Sequence, residues 1–194
     1  MTTQDIIKKY LKNEQILWSG TPQNTPLLQR SDILLIPFTV IFGGIFIIYA
    51  IISALMMIAG QGIMFSLIGI TALLIGIYIV FIRFWYRKKR ISRQVYFVTE
   101  KRVFAFDTLR DDVIFDILIK DVEVYSGHKS LIFGETNAVG DFIYNLGLDI
   151  FFRKFSKETA AFRYIDDING IAKIILKTKE KITKKDEEDD SLFI

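Results

Sequence analysis

The sequence predicts an α+β protein in two parts: a membrane-crossing pair of helices and a mainly β-stranded domain closed by one amphipathic helix. Three observations predict it. Residues 33–82 contain no Asp, Glu, Lys, Arg or His. Residues 94–152 break into short apolar runs separated by polar turns. Ile165, Ile168, Ala172 and Ile175 then recur at helical spacing.

The uncharged block is 50 residues long. A helix needs roughly 20 apolar residues to cross about 30 Å of hydrocarbon, so the block suffices for two crossings. Gly60-Gln61-Gly62 is its natural break, because two glycines around a polar residue favour a turn over a helix interior. The expected spans are 33–59 and 63–82. The first, at 27 residues, would be about 40 Å long and must tilt, bend or protrude. Pro37 lies near its start, where a missing N–H costs little. A helix pair buried in a soluble core would keep a polar stripe, and neither span has one. A cleaved leader does not fit a run that begins after 32 mostly polar residues.

Orientation follows from the basic residues at the span ends. Arg83, Arg87, Lys88, Lys89, Arg90 and Arg93 follow the second span, while Arg30 and, further out, Lys8, Lys9 and Lys12 precede the first. The tip between the spans is uncharged. Both termini are therefore expected on the cytosolic side. Residues 1–32 read as a cytosolic N-terminal segment, 83–93 as a basic junction, 94–178 as the cytosolic domain and 179–194 as a charged, disordered tail.

In the domain, Val95–Val98 and Arg102–Phe106 read as a strand pair around Thr99-Glu100-Lys101. Val113–Ile119, Val122–Tyr125 and Ser130–Phe133 follow as further strands, and Phe142–Tyr144 with Leu148–Phe152 as another pair around Gly147. The closing helix carries Asp166 and Asp167 near its start and Lys173 and Lys177 toward its end, both favourable to the helix dipole. Gly170 weakens it by about 1 kcal/mol relative to Ala, so it needs tertiary packing. Six or seven short strands with one helix suggest a curved sheet or small barrel.

Tyr96-Phe97-Val98-Thr99-Glu100-Lys101-Arg102-Val103 resembles the opening of the bacterial pleckstrin-homology-like (PH) domains. Ile117–Val124 is similar to that family's next segment, and Phe162-Arg163-Tyr164-Ile165-Asp166-Asp167 to its closing strand-to-helix step. Glu14–Pro22 resembles the motif such proteins carry before paired membrane spans. The resemblance implies a seven-stranded PH-like barrel closed by a C-terminal helix and tethered to a bacterial inner membrane. It implies no enzymatic activity and no cofactor. A dense phosphoinositide pocket is missing from it: Lys101, Arg102 and Arg110 are the nearby cations, opposed by Asp107, Asp111, Asp112 and Asp116.

The expected function is a membrane-anchored binding module that engages a protein partner or lipid headgroups at the cytosolic face. Its alternative is an accessory subunit of a larger membrane complex assembled through the hairpin. Arg87, Lys88, Lys89 and Arg90 are candidate headgroup contacts, although they also set topology. Gly43, Ala50 and Ala54 on one span, and Gly69, Ala72 and Gly76 on the other, are candidate helix-packing faces, for a homo-oligomer or for the hairpin itself. The four Asp residues lack the spacing of a calcium loop and read as a solvated turn. Trp18 reads either as an interfacial anchor or as packing on the β domain. Without cysteine and with His128 as the single histidine, thiolate chemistry and a His/Cys metal cluster are excluded. No nucleic-acid partner is expected. Spans without charged groups argue against proton relay or transport by this chain.

Overall fold

A computed structural model describes residues 10–11, 14–29, 32–60, 62–127, 129–145 and 159–191. The chain divides into two compact units, and each interrupts the other in sequence. One comprises Met1–Thr25, Lys89–Ala138 and Glu158–Ile194; the other comprises Pro26–Lys88 and Val139–Lys157.

The helical unit holds α1 (Asp32–Ile58) and α2 (Gly62–Ile77), with a turn between them in which Gly60 takes φ +82°. That value is open to glycine without steric cost. A π turn (Tyr78–Ile82) leads from α2 into α3 (Arg83–Ile91). Leu35–Ile58 and Ser66–Ile91 are long and apolar enough to cross a membrane. Their outward surfaces are apolar: Ile41, Ile48, Leu55 and Leu74 are each more than half exposed. The basic junction is thus helix rather than linker. Nothing from Tyr78 to Ile91 is Gly or Pro, and Arg and Lys propagate a helix well.

The mixed unit contains two antiparallel sheets. β1 (Ile16–Gly20), β2 (Gln94–Thr99), β3 (Arg102–Asp107) and β4 (Asp112–Leu118) form the first in that order. β5 (Val124–Gly127), β6 (Ser130–Phe133) and β7 (Ala161–Arg163) form the second. Among the described residues the sheets do not close into one barrel. The predicted β2–β3 hairpin is present, with Tyr96 opposite Ala105 and Val98 opposite Val103. Thr99 organises its turn, its Oγ1 accepting from the N–H groups of Lys101 and Arg102 at 3.3 and 3.1 Å.

Of the two roles expected for Trp18, packing on the β domain is the one observed. Ile16–Gly20 pairs with β2, Trp18 lying opposite Val98, and the Trp18 ring stands 5.6 Å from Phe162. The core between the sheets gathers Tyr96, Val103, Leu131, Phe133 and Phe162, and α5 (Ile168–Ser191) adds Ile171 and Ile175. On the other face of the first sheet, Leu11 and Tyr10 pack on Phe97 and Phe104. Burial on both faces explains why β2 and β3 read as near-continuous apolar runs.

Three further expectations are corrected. Phe142–Tyr144 is helical, within α4 (Ala138–Asn145). Gly140 and Tyr144 are buried four residues apart, which is helical spacing, and a run of three apolar residues is too short to specify a strand. The stretch 94–178 is not one unit, since Val139–Lys157 belongs with the hairpin. The tail is not disordered through 179–191, because α5 continues to Ser191. Ile182 packs on the core and Lys179 Nζ donates to the Val122 carbonyl at 2.8 Å, so the added turns have tertiary support. Asp167 begins α5 as foreseen, Oδ1 accepting from the Gly170 N–H at 2.8 Å. Leu148–Phe152 and His128 lie outside the described residues.

Candidate functional site: the charged base of the apolar hairpin

Gly69, Ala72 and Gly76 on α2, then Arg83 and Arg87 on α3, are buried positions along one continuous helical run. Thr39, Gly43, Ala50 and Ser53 are their counterparts on α1. Toward the tip the stripe is built of small residues, which lets the backbones approach. A Cβ placed on Gly69 would lie 2.6 Å from Ser53 Cβ, and one on Gly76 would lie 3.1 Å from the Gly43 carbonyl oxygen. Five of the six predicted packing residues lie in this buried stripe. Ala54 does not; it is exposed, and Ser53 takes its place. Gly69→Leu is expected to cost about 1–3 kcal/mol by overpacking against Ser53, seen as a lowered unfolding midpoint in detergent.

At the base the stripe becomes ionic. The Arg87 guanidinium grips Asp32 with both terminal nitrogens, Nη1 reaching Oδ1 at 2.7 Å and Nη2 bonding Oδ2. Both side chains are 1% exposed. Asp32 also accepts from the Gln29 N–H at 2.6 Å, and as the first residue of α1 it faces the positive end of the helix dipole. Arg87 further donates to the Leu27 carbonyl at 3.4 Å and to the Asn145 carbonyl, at the end of α4, at 3.5 Å. One turn toward the tip, Arg83 Nη2 donates to Thr39 Oγ1 at 3.2 Å, and its guanidinium lies 4.3 Å from the Phe84 ring centre. Arg83 is also 1% exposed, and its Nε and Nη1 have no hydrogen-bond partner among the described residues. Two arginines and one aspartate leave this base with an excess positive charge.

Comparison with protein-family models, with curated proteins and with solved structures yields no match.

The four candidate headgroup contacts differ in their surroundings. Arg87 is ion-paired and buried, and Arg90 is buried with Nε 3.5 Å from Asp107 Oδ2. Residues 83, 87 and 90 fall on one face of α3, so they turn inward together, while Lys88 is exposed and Lys89 is half-buried. Sequence reasoning missed the Asp32–Arg87 pair, yet a signal existed. In an antiparallel hairpin, a carboxylate opening the first helix and a guanidinium closing the second meet at the same end.

The mixed unit carries a second ionic cluster. Arg102 bonds Glu14 through Nε at 3.1 Å and Asp116 through Nη1 at 2.8 Å, and it donates to the Tyr10 carbonyl at 2.7 Å. Burial works against its charge, but the hydrogen bonds it donates to Glu14 and Asp116 raise its affinity for the proton above the ordinary value. Asp107 is buried and accepts from the Leu109 N–H at 2.9 Å, whereas Asp111 and Asp116 are exposed, so only part of the expected turn is solvated. Among the described residues no group of three or more His, Cys, Asp or Glu is placed to hold a metal.

Tyr10 completes this cluster, donating to Asp116 at 2.5 Å. Its hydroxyl is pushed up to about 12 from an ordinary 10, by burial first and then by Asp116. Between those values an unfolded tyrosine ionises and the folded one does not. The contribution of Tyr10 to stability is therefore complete below pH 10 and lost as pH rises through about 12. Spectrophotometric titration of tyrosinate should show a late phase near pH 12 that Tyr10→Phe diminishes by one tyrosine.

Proposed function

We propose that the chain is a membrane-anchored, PH-like binding module at the cytosolic face of a bacterial inner membrane, and that its mixed unit engages a protein partner rather than lipid headgroups. Seven strands divided four and three, followed by a helix, support the PH-like reading. Two apolar helices with basic residues beyond the second support the anchor and its orientation. The observation that carries the choice of partner is that three of the arginines that could meet a headgroup are already ion-paired. Arg87 is paired with Asp32, Arg90 with Asp107, and Arg102 with Glu14 and Asp116. A guanidinium already paired and buried gains little from a phosphate.

The surface best suited to a partner is a concavity of about 440 Å³ on the second sheet, lined by Tyr125, Ile132, Gly134, Glu135 and Thr136. Tyr125 is 54% exposed, and an exposed tyrosine beside an aliphatic floor is a good anchor for a protein contact. Its hydroxyl donates to Glu123 at 2.8 Å, which raises its pKa above the ordinary value.

A photocrosslinking residue at position 125 of the full chain, activated in native membranes, should yield a discrete protein adduct. Adduct loss on Ile132→Asp, with insertion unchanged, would support the site. No adduct, together with binding of the purified chain to nanodiscs that depends on anionic lipid, would overturn the choice of partner. The accessory-subunit reading draws support from a different feature. An apolar groove of about 520 Å³ along the hairpin, lined by Ile45, Tyr49, Leu67 and Thr71 among others, is large enough for side chains of another helix.

A further inference from the structure

We infer that α4 is an in-plane membrane helix whose Val139–Phe142 face sits in the headgroup–acyl boundary of the leaflet that the hairpin enters. The inference rests on the membrane reading above. Val139 and Phe142, one helical turn apart, are 67% and 45% exposed, while Gly140 and Tyr144 on the other side are buried. An eight-residue helix in water would not usually turn its larger apolar residues outward.

Contacts within the helical unit identify what covers that face. The Phe142 ring is 6.5 Å from Phe38 on α1, and Phe38 is 4.3 Å from Phe42, so α4 continues the apolar surface of the hairpin. The far end of α4 is tied to the same base, where Arg87 donates to the Asn145 carbonyl. The groups at this level also define its depth. Thr39, next to Phe38, receives the Arg83 hydrogen bond, and Trp85, two residues beyond Arg83, is 61% exposed. Trp is a side chain that settles at the headgroup level, its ring amphipathic and here turned outward from the hairpin. A face joined to that level, apolar and continuous with a lipid-facing surface, meets lipid. The occupant is the bilayer.

The sequence contains no cysteine, so single nitroxide labels can be placed without background. The full chain in lipid nanodiscs would carry Val139→Cys or Phe142→Cys, with Ile48→Cys as the hairpin reference and Glu123→Cys as the aqueous one. The ratio of oxygen to nickel-chelate collision rates is expected to shift at 139 and 142 from the Glu123 value toward the Ile48 value. Val139→Cys leaves the Phe38–Phe142 contact intact, so it reads the position even if Phe142→Cys loosens α4. Ratios like Glu123 at both sites, with Ile48 lipid-like, would overturn the inference and leave the anchor standing. Low collision rates for both reagents would mean that protein covers the face, and would also overturn it. An aqueous value at Ile48 would remove the membrane reading itself.

Discussion

Asp32→Ala is expected to destabilise the helical unit by about 3–5 kcal/mol, because it leaves the buried Arg87 charge uncompensated. Arg87 loses its bidentate partner, and the Gln29 N–H loses its acceptor, at a place where neither can reach water readily. The Arg83 charge one turn away makes the loss worse, since Asp32 is the acidic group that offsets it. The pair itself need not be strongly stabilising. Removing both charges in Asp32→Ala/Arg87→Met is expected to bring stability back to within about 2 kcal/mol of the native chain. Unfolding of the four chains of this double-mutant cycle, in one detergent, separates the two effects. If Asp32→Ala and the double variant were equally unstable, the cost would lie in local packing or capping and not in the orphaned charge.

Phe162→Ala is expected to cost the mixed unit about 3–5 kcal/mol, the range for deleting a fully buried aromatic ring. Phe162 lies on β7, a strand of three residues, yet it is the hub of the aromatic core. Its ring is stacked 4.6 Å from Tyr96, lies edge-on 4.8 Å from Phe133, and stands 5.6 Å from Trp18. Those partners belong to β2, β6 and β1, so one ring joins both sheets and the N-terminal strand. The loss should appear as a lowered thermal midpoint together with a large change in Trp18 fluorescence. A small change in midpoint would show that the neighbours collapse into the space.

Much of the local structure is legible in particular residues. Gly60 marks the tip of the hairpin because a turn at φ +82° asks for glycine, and Thr99 marks the β2–β3 turn because its hydroxyl replaces a backbone acceptor. Asp167 announces α5. These are contacts between near neighbours, and composition over a few residues specifies them. Phe142–Tyr144 shows the limit: its apolar pattern is compatible with strand or helix, and burial of Gly140 and Tyr144 on one side decided for helix. The candidate site was partly legible. Gly43, Gly69 and Gly76 could be placed on packing faces by spacing, whereas the burial of Arg87 and Arg90 could not.

The uncharged hairpin, its turn and the strand-rich character of the following region were determined by the sequence alone. Hydrophobic length and periodicity are properties of the chain itself, and they act whatever the partner. What the tertiary structure decided was pairing across long separations. Asp32 meets Arg87 and Glu14 meets Arg102 only because the chain returns to those places, and β1 joins β2 across the whole hairpin. Whether an arginine is a free cation or a neutralised one depends on which carboxylate lies within about 4 Å, and no local pattern carries that distance.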